Sequence, residues 1–270
     1  MLAANVCAAE LLLEKEIPAL FRNHEQPSPE KLADLREFLS EFGLSLAGQD
    51  EPDASDYADL IDEVREREDA HLIETVLLRS MQLASYGEEN LGHFGLAFEA
   101  YTHFTSPIRR YPDLLVHRAI KSSIHNRPGD YTYTRDDMHR LGVNCSYTER
   151  RAEDASRQVM QKLKCLFMQD HVGNEYEGTV SSVTGFGLFV ELDNIYIEGL
   201  VHVTSLPLDY YHYDPISHRL RGEKTHREFR LANRVKVRVI RVDVDDAKID
   251  FELVEAEQAK RRRRKVKRRK

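Results

Sequence analysis

The period of the hydrophobic pattern changes near His171, and this change constrains the fold more than any other feature of the chain. Before it, apolar residues recur at the spacing of amphipathic helices. After it, apolar and polar residues alternate, which is typical of half-buried β-strands. The sequence therefore predicts an α+β fold, in which a helix-rich unit over residues 1–170 precedes a β unit over residues 173–255.

The predicted helices begin at recognisable caps. Ser28 is a suitable N-cap, and Pro29 suits the first position of the helix that follows. Thr134 and Asp137 form a capping arrangement that opens a long charged helix, which Gly142 could interrupt. These features predict a helical scaffold for the first unit.

The β unit contains about five short predicted strands, which suits a small Greek-key barrel. In its last hairpin, Ile240 shifts the phase of alternation, as one extra residue in a β-bulge would do. The same hairpin holds an aspartate cluster: Asp243, Asp245, Asp246 and Asp250. Because two of these residues suit the turn and one suits a strand, we do not expect the four carboxylates to converge on a metal ion.

Two phenylalanines of the β unit are predicted to lie outside its core. Alternation points Leu188 and Val190 inward and therefore Phe189 outward. Phe186 stands between two glycines, where a bulge would turn its ring outward as well. A nucleobase can stack on such a ring, with a gain of about 1–3 kcal/mol.

The segments GTVSSVTGFGLFVEL, residues 178–192, and EGLVHVTSL, residues 198–206, resemble the OB-fold RNA-binding module named after ribosomal protein S1. The resemblance covers about residues 173–255 and implies a five-stranded OB-fold β-barrel. It also assigns RNA contacts to three residues: Phe186, Phe189 and His202.

A further aromatic cluster follows this module: Tyr210, Tyr211, His212 and Tyr213. Two interpretations stay open at this point. The cluster either extends the outward-facing aromatic surface or caps the barrel.

The helical unit contains the segment SPIRRYPD, residues 106–113, which suits a phosphate site. Ser106 can cap a helix and Pro107 suits its first position, so unpaired amides there would attract an anion. Arg109 and Arg110 are expected just inside this helix. A guanidinium offers paired donors that match phosphate oxygens, and it can stabilise charge that develops during hydrolysis.

The longer stretch GHFGLAFEAYTHFTSPIRRYPDLLVHRAIK, residues 92–121, closely resembles the end of the catalytic domain of the ribonuclease II and ribonuclease R family. The resemblance implies that Arg109 assists catalysis. It implies RNA contacts or a place beside the site for five more residues: His103, Ser106, Arg110, Tyr111 and Asp113. Members of this family hydrolyse single-stranded or structured RNA from its 3′ end to nucleoside 5′-monophosphates.

The resemblance also implies a divalent metal ion, Mg²⁺ in the complete enzyme, held by clustered aspartates. In the family this aspartate motif and the cold-shock domains lie upstream of the part that the chain resembles. We therefore expect the chain to hold no metal and, on its own, to bind RNA without degrading it.

The charge of the chain is unevenly distributed. The formal net charge is −7, but Lys260–Lys270 contains ten basic residues and no acidic one, which leaves −17 for the rest. A run of this kind does not pack, so residues 256–270 are predicted to be a disordered basic tail. We expect it to contact RNA phosphates through Lys260, Arg261, Arg262, Arg263 and Arg264. A solubilising or targeting role is the alternative.

Three scattered cysteines give neither a disulfide framework nor a zinc pattern, which favours a reducing compartment and therefore the cytoplasm. No apolar run is long enough to span a membrane. The expected partner is RNA, with the ribosome or RNA-decay factors as further candidates. The alternative function is a free-standing RNA-binding or translation-associated protein, for which the SPIRRYPD segment has no obvious use.

Overall fold

The computed structural model describes residues 1–49, 51–67, 69–125 and 128–254. The chain divides into two compact units, Met1–Asp154 and Ala155–Lys270. The predicted basic tail lies outside the described residues. None of the described helices combines the length and the apolarity that a membrane span requires.

The first unit is mainly helical. In chain order, its elements are α1 (Leu2–Glu14), β1 (Phe21–Asn23), α2 (Pro29–Glu41), α3 (Ala54–Val64), α4 (Ala70–Ser80), β2 (Ser85–Gly87), α5 (Tyr111–Ile124) and the first part of α6 (Arg135–Gln169). Strands β1 and β2 pair in antiparallel orientation. In the core, Leu12 of α1 packs with Val116 and Ala119 of α5. Each fully buried leucine of this kind contributes about 1.5–3 kcal/mol.

The predicted helix caps are confirmed. The Ser28 side chain accepts the N–H of Lys31 at the start of α2, and Pro29 is the first helical residue. At the start of α6, the Thr134 N–H donates to the Asp137 carboxylate at 2.9 Å and the Asp137 N–H donates to the Thr134 hydroxyl at 3.1 Å. These reciprocal hydrogen bonds satisfy donors that the first helical turn leaves unpaired.

Gly142 does not interrupt α6, which runs without a break from Arg135 to Gln169. A β-carbon at Gly142 would lie 2.9 Å from the Tyr86 carbonyl oxygen and 3.2 Å from the Leu20 side chain. The glycine is therefore a point of close packing inside the helix rather than a helix end.

The second unit contains a closed five-stranded barrel. Its strands are β3 (Glu175–Thr184), β4 (Gly187–Leu192), β5 (Glu198–His202), β9 (Arg234–Asp243) and β10 (Lys248–Leu253), in the spatial order β10-β5-β4-β3-β9. Strands β5 and β10 pair in parallel, and the other neighbours are antiparallel. Leu188, Val190 and Leu192 are fully buried in the core, as the alternation predicted. The predicted OB-type barrel is confirmed.

The predicted bulge at Ile240 is also confirmed. Asp250 pairs with Arg241 and Phe251 pairs with Val239, which leaves Ile240 without a partner in the ladder. Ile240 is accordingly exposed. Because of this extra residue, the apolar side chains before and after it can both face the core of the barrel.

A three-stranded antiparallel sheet between β5 and β9 was not predicted. It consists of β6 (Tyr211–Asp214), β7 (Arg219–Gly222) and β8 (Glu228–Arg230). Strands of three or four residues are too short to show a clear alternation in the sequence. The estimate of about five strands is therefore correct for the barrel but incomplete for the unit.

Candidate nucleic-acid interface

The two arginines of the helical unit belong to a single turn, residues 106–110, which we call the arginine turn. The Ser106 carbonyl oxygen accepts the N–H groups of Arg109, at 3.3 Å, and of Arg110, at 3.1 Å. The Arg110 backbone is extended, and α5 begins only at Tyr111. The prediction that a helix starts at Ser106 and Pro107 is therefore wrong.

The carboxylate of Asp113 explains this difference. Its Oδ1 atom accepts the Ser106 N–H at 2.7 Å, so this amide is already paired. Pro112 follows the first residue of α5 and lacks an N–H, which reduces the number of donors that a cap must satisfy. The N–H groups of Ser106, Arg109 and Arg110 are therefore paired and are not available to an anion.

Arg110 and Arg109 differ sharply in their surroundings. Arg110 donates to Asp113 Oδ1 at 2.8 Å, and the Asp113 side chain is fully buried. The Arg110 Nε and Asp113 Oδ2 atoms are also buried but have no hydrogen-bond partner in the described structure. Arg109 is exposed, and no hydrogen bond or ion pair connects its side chain to any other described residue. The turn therefore holds Arg110 in place and leaves the Arg109 guanidinium available.

His103 lies among aromatic rings and arginines. Its Nδ1 atom is 2.8 Å from the Tyr86 hydroxyl, and the Arg22 guanidinium stands 4.6 Å from the centre of the Tyr86 ring. Burial, followed by the charges of Arg110 and Arg22, lowers the pKa of His103 to about 4. His103 is therefore neutral near pH 7, where it can form a hydrogen bond with a ligand but cannot act as a cation.

Burial also raises the pKa of Tyr86 to about 12. The Tyr86 hydroxyl stays protonated and can donate to His103 Nδ1. In that arrangement the proton of the neutral imidazole lies on Nε2.

Tyr111 is exposed at the first position of α5, directly after the arginine turn. Its pKa is raised, first by a hydrogen bond with Tyr133 and then by burial. The Arg118 guanidinium donates to the Tyr133 hydroxyl at 3.2 Å. Sequence reasoning missed Arg118 and Tyr133. The spacing of seven residues between Tyr111 and Arg118 was the available signal, because it puts both on one side of a helix.

In the barrel unit, Phe186 and Phe189 lie together. Their ring centres are 5.9 Å apart and the rings are nearly perpendicular. Phe186 is 51% exposed, and Phe189 is half-buried. Thr184 pairs with Gly187, so Phe186 occupies a two-residue turn between β3 and β4 and not the predicted bulge. The outward position of the ring was predicted correctly, although its cause was not.

His202 is exposed and lies on the strand next to this turn, where it pairs with Gly187. A β-carbon on Gly187 would clash with the Val201 carbonyl oxygen, so the glycine allows β4 and β5 to approach closely. His202 Nδ1 accepts the N–H of Thr204 at 3.3 Å, which leaves Nε2 able to donate in the neutral ring. We call Phe186, Phe189 and His202 the aromatic face.

The cluster at 210–213 separates into residues with different surroundings. Tyr211 packs against Phe229, with ring centres 5.8 Å apart, and its hydroxyl donates to the Pro207 carbonyl oxygen at 3.1 Å. For Tyr211, the interpretation as part of the barrel's packing is therefore the correct one. Tyr210 and His212 are exposed, with ring centres 5.0 Å apart.

The aspartates of the last hairpin have local partners. Asp243 accepts from the Arg241 guanidinium at 2.8 Å and from the Asp246 N–H at 3.0 Å, and Asp246 pairs with Lys248 at 3.0 Å. Within the ranges that the structure describes, no three His, Cys, Asp or Glu side chains come together in a way that could hold a metal ion. The residues predicted in the basic tail, Lys260 and Arg261–Arg264, lie beyond these ranges.

An OB-type barrel with an exposed aromatic face, preceded by a helical unit that presents the Arg109 guanidinium, is typical of nucleic-acid-binding proteins. The RNB domain model matches residues 1–126, and the S1 RNA binding domain model matches residues 169–253. The chain is 52% identical over 265 residues to ribonuclease R of Vibrio cholerae, which covers 94% of this chain and 32% of that protein. It is 49% identical over 270 residues to ribonuclease R of Escherichia coli, with 97% of this chain and 33% of that protein covered.

A solved structure of Mycoplasma genitalium RNase R in complex with ribose methylated single-stranded RNA is similar to the chain, with a TM-score of 0.85 and 27% identity. The similarity covers 94% of this chain and 40% of that one. The chain belongs to the ribonuclease R family. It spans about a third of the length of the ribonuclease R proteins of Vibrio cholerae and Escherichia coli.

Proposed function

We propose that the chain binds single-stranded RNA and that, within a complete family member, it holds RNA for 3′-to-5′ hydrolysis to nucleoside 5′-monophosphates. The main support for this proposal is the difference between the two arginines of the arginine turn. Arg110 is tied to the buried Asp113 carboxylate, whereas the Arg109 side chain is exposed and has no partner among the described residues. Such a turn fixes the backbone that carries Arg109 and leaves its guanidinium able to pair with a phosphate group.

In this proposal Arg109 pairs with oxygens of the phosphate that reacts and stabilises the charge that develops on them. His103 lies near the path of the RNA as a neutral group and offers a hydrogen bond rather than a charge. Ser106, Arg110 and Tyr111 shape the surroundings of Arg109.

Family membership implies a divalent metal, and we propose Mg²⁺, because carboxylate oxygens suit this ion. The residues of the described ranges do not fit such a metal, since no three suitable side chains converge there. We therefore assign to this chain the binding of RNA.

The aromatic face is proposed to bind the bases of the RNA. Phe186 and Phe189 offer rings on which bases stack, at about 1–3 kcal/mol for each base. His202 adds a hydrogen-bond donor beside them. Since every base has a π-face, this surface is expected to tolerate many RNA sequences.

We propose that residues 1–170 and 173–255 are the RNB and S1 domains, and that residues 256–270 contact phosphates. Structured RNA, the ribosome or RNA-decay factors are proposed as additional partners, and the cytoplasm as the location. The alternative, a free-standing RNA-binding protein, is not favoured because the RNB domain model matches residues 1–126.

The proposal is tested by introducing Arg109→Ala into the complete family member and measuring turnover of single-stranded RNA. We expect a large loss of turnover, since removal of one donor to a developing oxyanion costs about a hundred-fold or more. Unchanged turnover would reject the role of Arg109. A sustained release of nucleoside monophosphates by this chain alone, with magnesium present, would show that it contains a complete site.

A further inference from the structure

Tyr213 lies on the barrel side of the three-stranded sheet. It pairs with Leu220 across β6 and β7, and residues that pair across antiparallel strands point to the same face. Leu220 is fully buried in the core cluster of the barrel unit. Tyr211, two residues earlier on β6, also packs against that cluster. The face of β6 that bears Tyr213 is therefore directed to the barrel.

The Tyr213 side chain stands beside the turn that carries Phe186. A β-carbon placed on Gly185 would lie 3.9 Å from both Cβ and Cδ1 of Tyr213, which is ordinary van der Waals contact. Phe186 is the next residue of the same turn. Tyr213 is 38% exposed and Phe186 is 51% exposed, so both rings are accessible at this point.

The opposite face of β6 provides an internal comparison. Tyr210 is 66% exposed, more than Tyr213, and its ring makes an edge-to-face contact with the ring of His212. His212 pairs with Arg221 across the strands and lies 3.8 Å from the Glu223 carboxylate. Tyr210 therefore belongs to a polar outer surface on the side of β6 that faces away from the barrel.

We propose that Tyr213 is a further stacking position for an RNA base, next to the aromatic face. Its ligand is the π-face of a nucleobase in single-stranded RNA. This base is one nucleotide away from the bases that stack on Phe186 and Phe189. The Tyr213 ring stands beside Gly185, and Phe186 is the next residue of the turn. An aromatic ring loses little conformational freedom on binding, which favours its use as a stacking surface.

This inference rests on the proposed function of the aromatic face, and the experiment separates the two. Binding of the full chain to a fluorescein-labelled single-stranded oligoribonucleotide of about 12 nucleotides, within the range an OB-fold contacts, is measured by anisotropy. Four variants are compared: Tyr213→Leu, Tyr213→Phe, Tyr210→Leu and Phe186→Leu. Circular dichroism and thermal unfolding check that each variant is folded.

We expect Tyr213→Leu to weaken binding about five-fold, the lower end of the loss for one stacked base. Tyr213→Phe keeps the ring and should bind as the parent chain does, as should Tyr210→Leu. Single nucleotides of the RNA are also replaced, one at a time, by abasic nucleotides. The number of positions at which this replacement lowers affinity should be one greater for the parent chain than for Tyr213→Leu.

The inference is overturned if folded Tyr213→Leu binds as tightly as the parent chain while Phe186→Leu binds more weakly. In that case the aromatic face still functions as proposed. If neither variant changes the affinity, the proposed role of the aromatic face is lost together with the inference. An equal loss in Tyr210→Leu and Tyr213→Leu also overturns it, since only one of these residues adjoins the turn.

Discussion

The Arg110 guanidinium donates a 2.8 Å hydrogen bond to the Asp113 carboxylate, whose side chain is fully buried. The side chain of its neighbour Arg109 is exposed and has no partner in the described part of the chain. Two adjacent residues of the same type thus have different tasks. Arg110 stabilises the arginine turn, and Arg109 is the cation of this turn that a ligand can reach.

The ion pair predicts that Arg110→Ala lowers the free energy of unfolding by about 3–5 kcal/mol, because the Asp113 carboxylate stays buried after its partner is removed. Urea unfolding of the full chain, followed by circular dichroism, measures this loss. Arg109→Ala is the matched control and should change stability by no more than about 0.5 kcal/mol. Equal stability of the two variants would contradict the division of tasks.

The exposure of Arg109 predicts an electrostatic contact with RNA. A single lost phosphate contact should reduce the slope of log affinity against log salt by about 0.7 for single-stranded RNA. Arg109→Ala is expected to show this change in anisotropy titrations at several salt concentrations. Arg65→Ala removes another exposed arginine of the same unit, one that pairs with Asp62. A slope that changes equally in both variants would argue against a specific contact at Arg109.

The perpendicular contact of Phe186 and Phe189 predicts that the two rings act together in RNA binding. Phe186→Leu and Phe189→Leu should each cost about 1–3 kcal/mol of binding free energy. Neighbouring aromatic rings are coupled by about 0.5–1.5 kcal/mol, so the double variant should deviate from additivity by a similar amount.

The matched control for these rings is Tyr196→Leu, which removes an exposed ring at the other end of β4. Tyr196→Leu should bind RNA as the parent chain does. Strict additivity of the two phenylalanine variants, or a loss of the same size in the control, would be evidence against a joint surface.

The lowered pKa of His103, about 4 against an ordinary value of 6.5, predicts a pH dependence of stability. Below pH 6.5, His103 binds a proton in the unfolded chain, whereas in the folded chain it stays neutral until about pH 4. The unfolded state binds more protons in this window, so stability falls as the pH is lowered through it. His93, whose pKa is also lowered to about 4 by burial and by His24, contributes in the same direction.

Thermal unfolding at a series of pH values tests this expectation. His103→Gln should make the decrease in stability between about pH 6.5 and pH 4 less steep, because one group that charges only on unfolding is removed. His71→Gln, at an exposed position of α4, should leave the decrease unchanged. A parent chain whose stability is constant over this window would contradict the buried environment of His103.

Much of the fold follows from local features of the sequence. The caps at Ser28 and Thr134 depend on side chains and amides within three residues of each other, so their residue types suffice to predict them. The bulge at Ile240 was predictable because an extra residue shifts the phase of alternation for the rest of the strand. The outward position of Phe189 follows from the same period.

Other features depend on which side chains are buried, and this could not be predicted from the sequence. Ser106 and Pro107 fit a helix start equally well, but the buried Asp113 carboxylate pairs with the Ser106 amide and Arg110 and delays the helix to Tyr111. The available and the structural arginine could not be distinguished for the same reason. The position of Tyr213 beside Gly185 depends on a sheet whose strands are too short to recognise in the sequence.

We claim that Arg109 and the aromatic face bind single-stranded RNA. Binding of a labelled single-stranded oligoribonucleotide by the full chain is measured at about 50 mM salt, where phosphate contacts are strong. We predict saturable binding by the parent chain and a large loss of affinity in a folded Arg109→Ala/Phe186→Leu variant. A folded parent chain without saturable binding, or a double variant that binds as tightly as the parent, would contradict the claim.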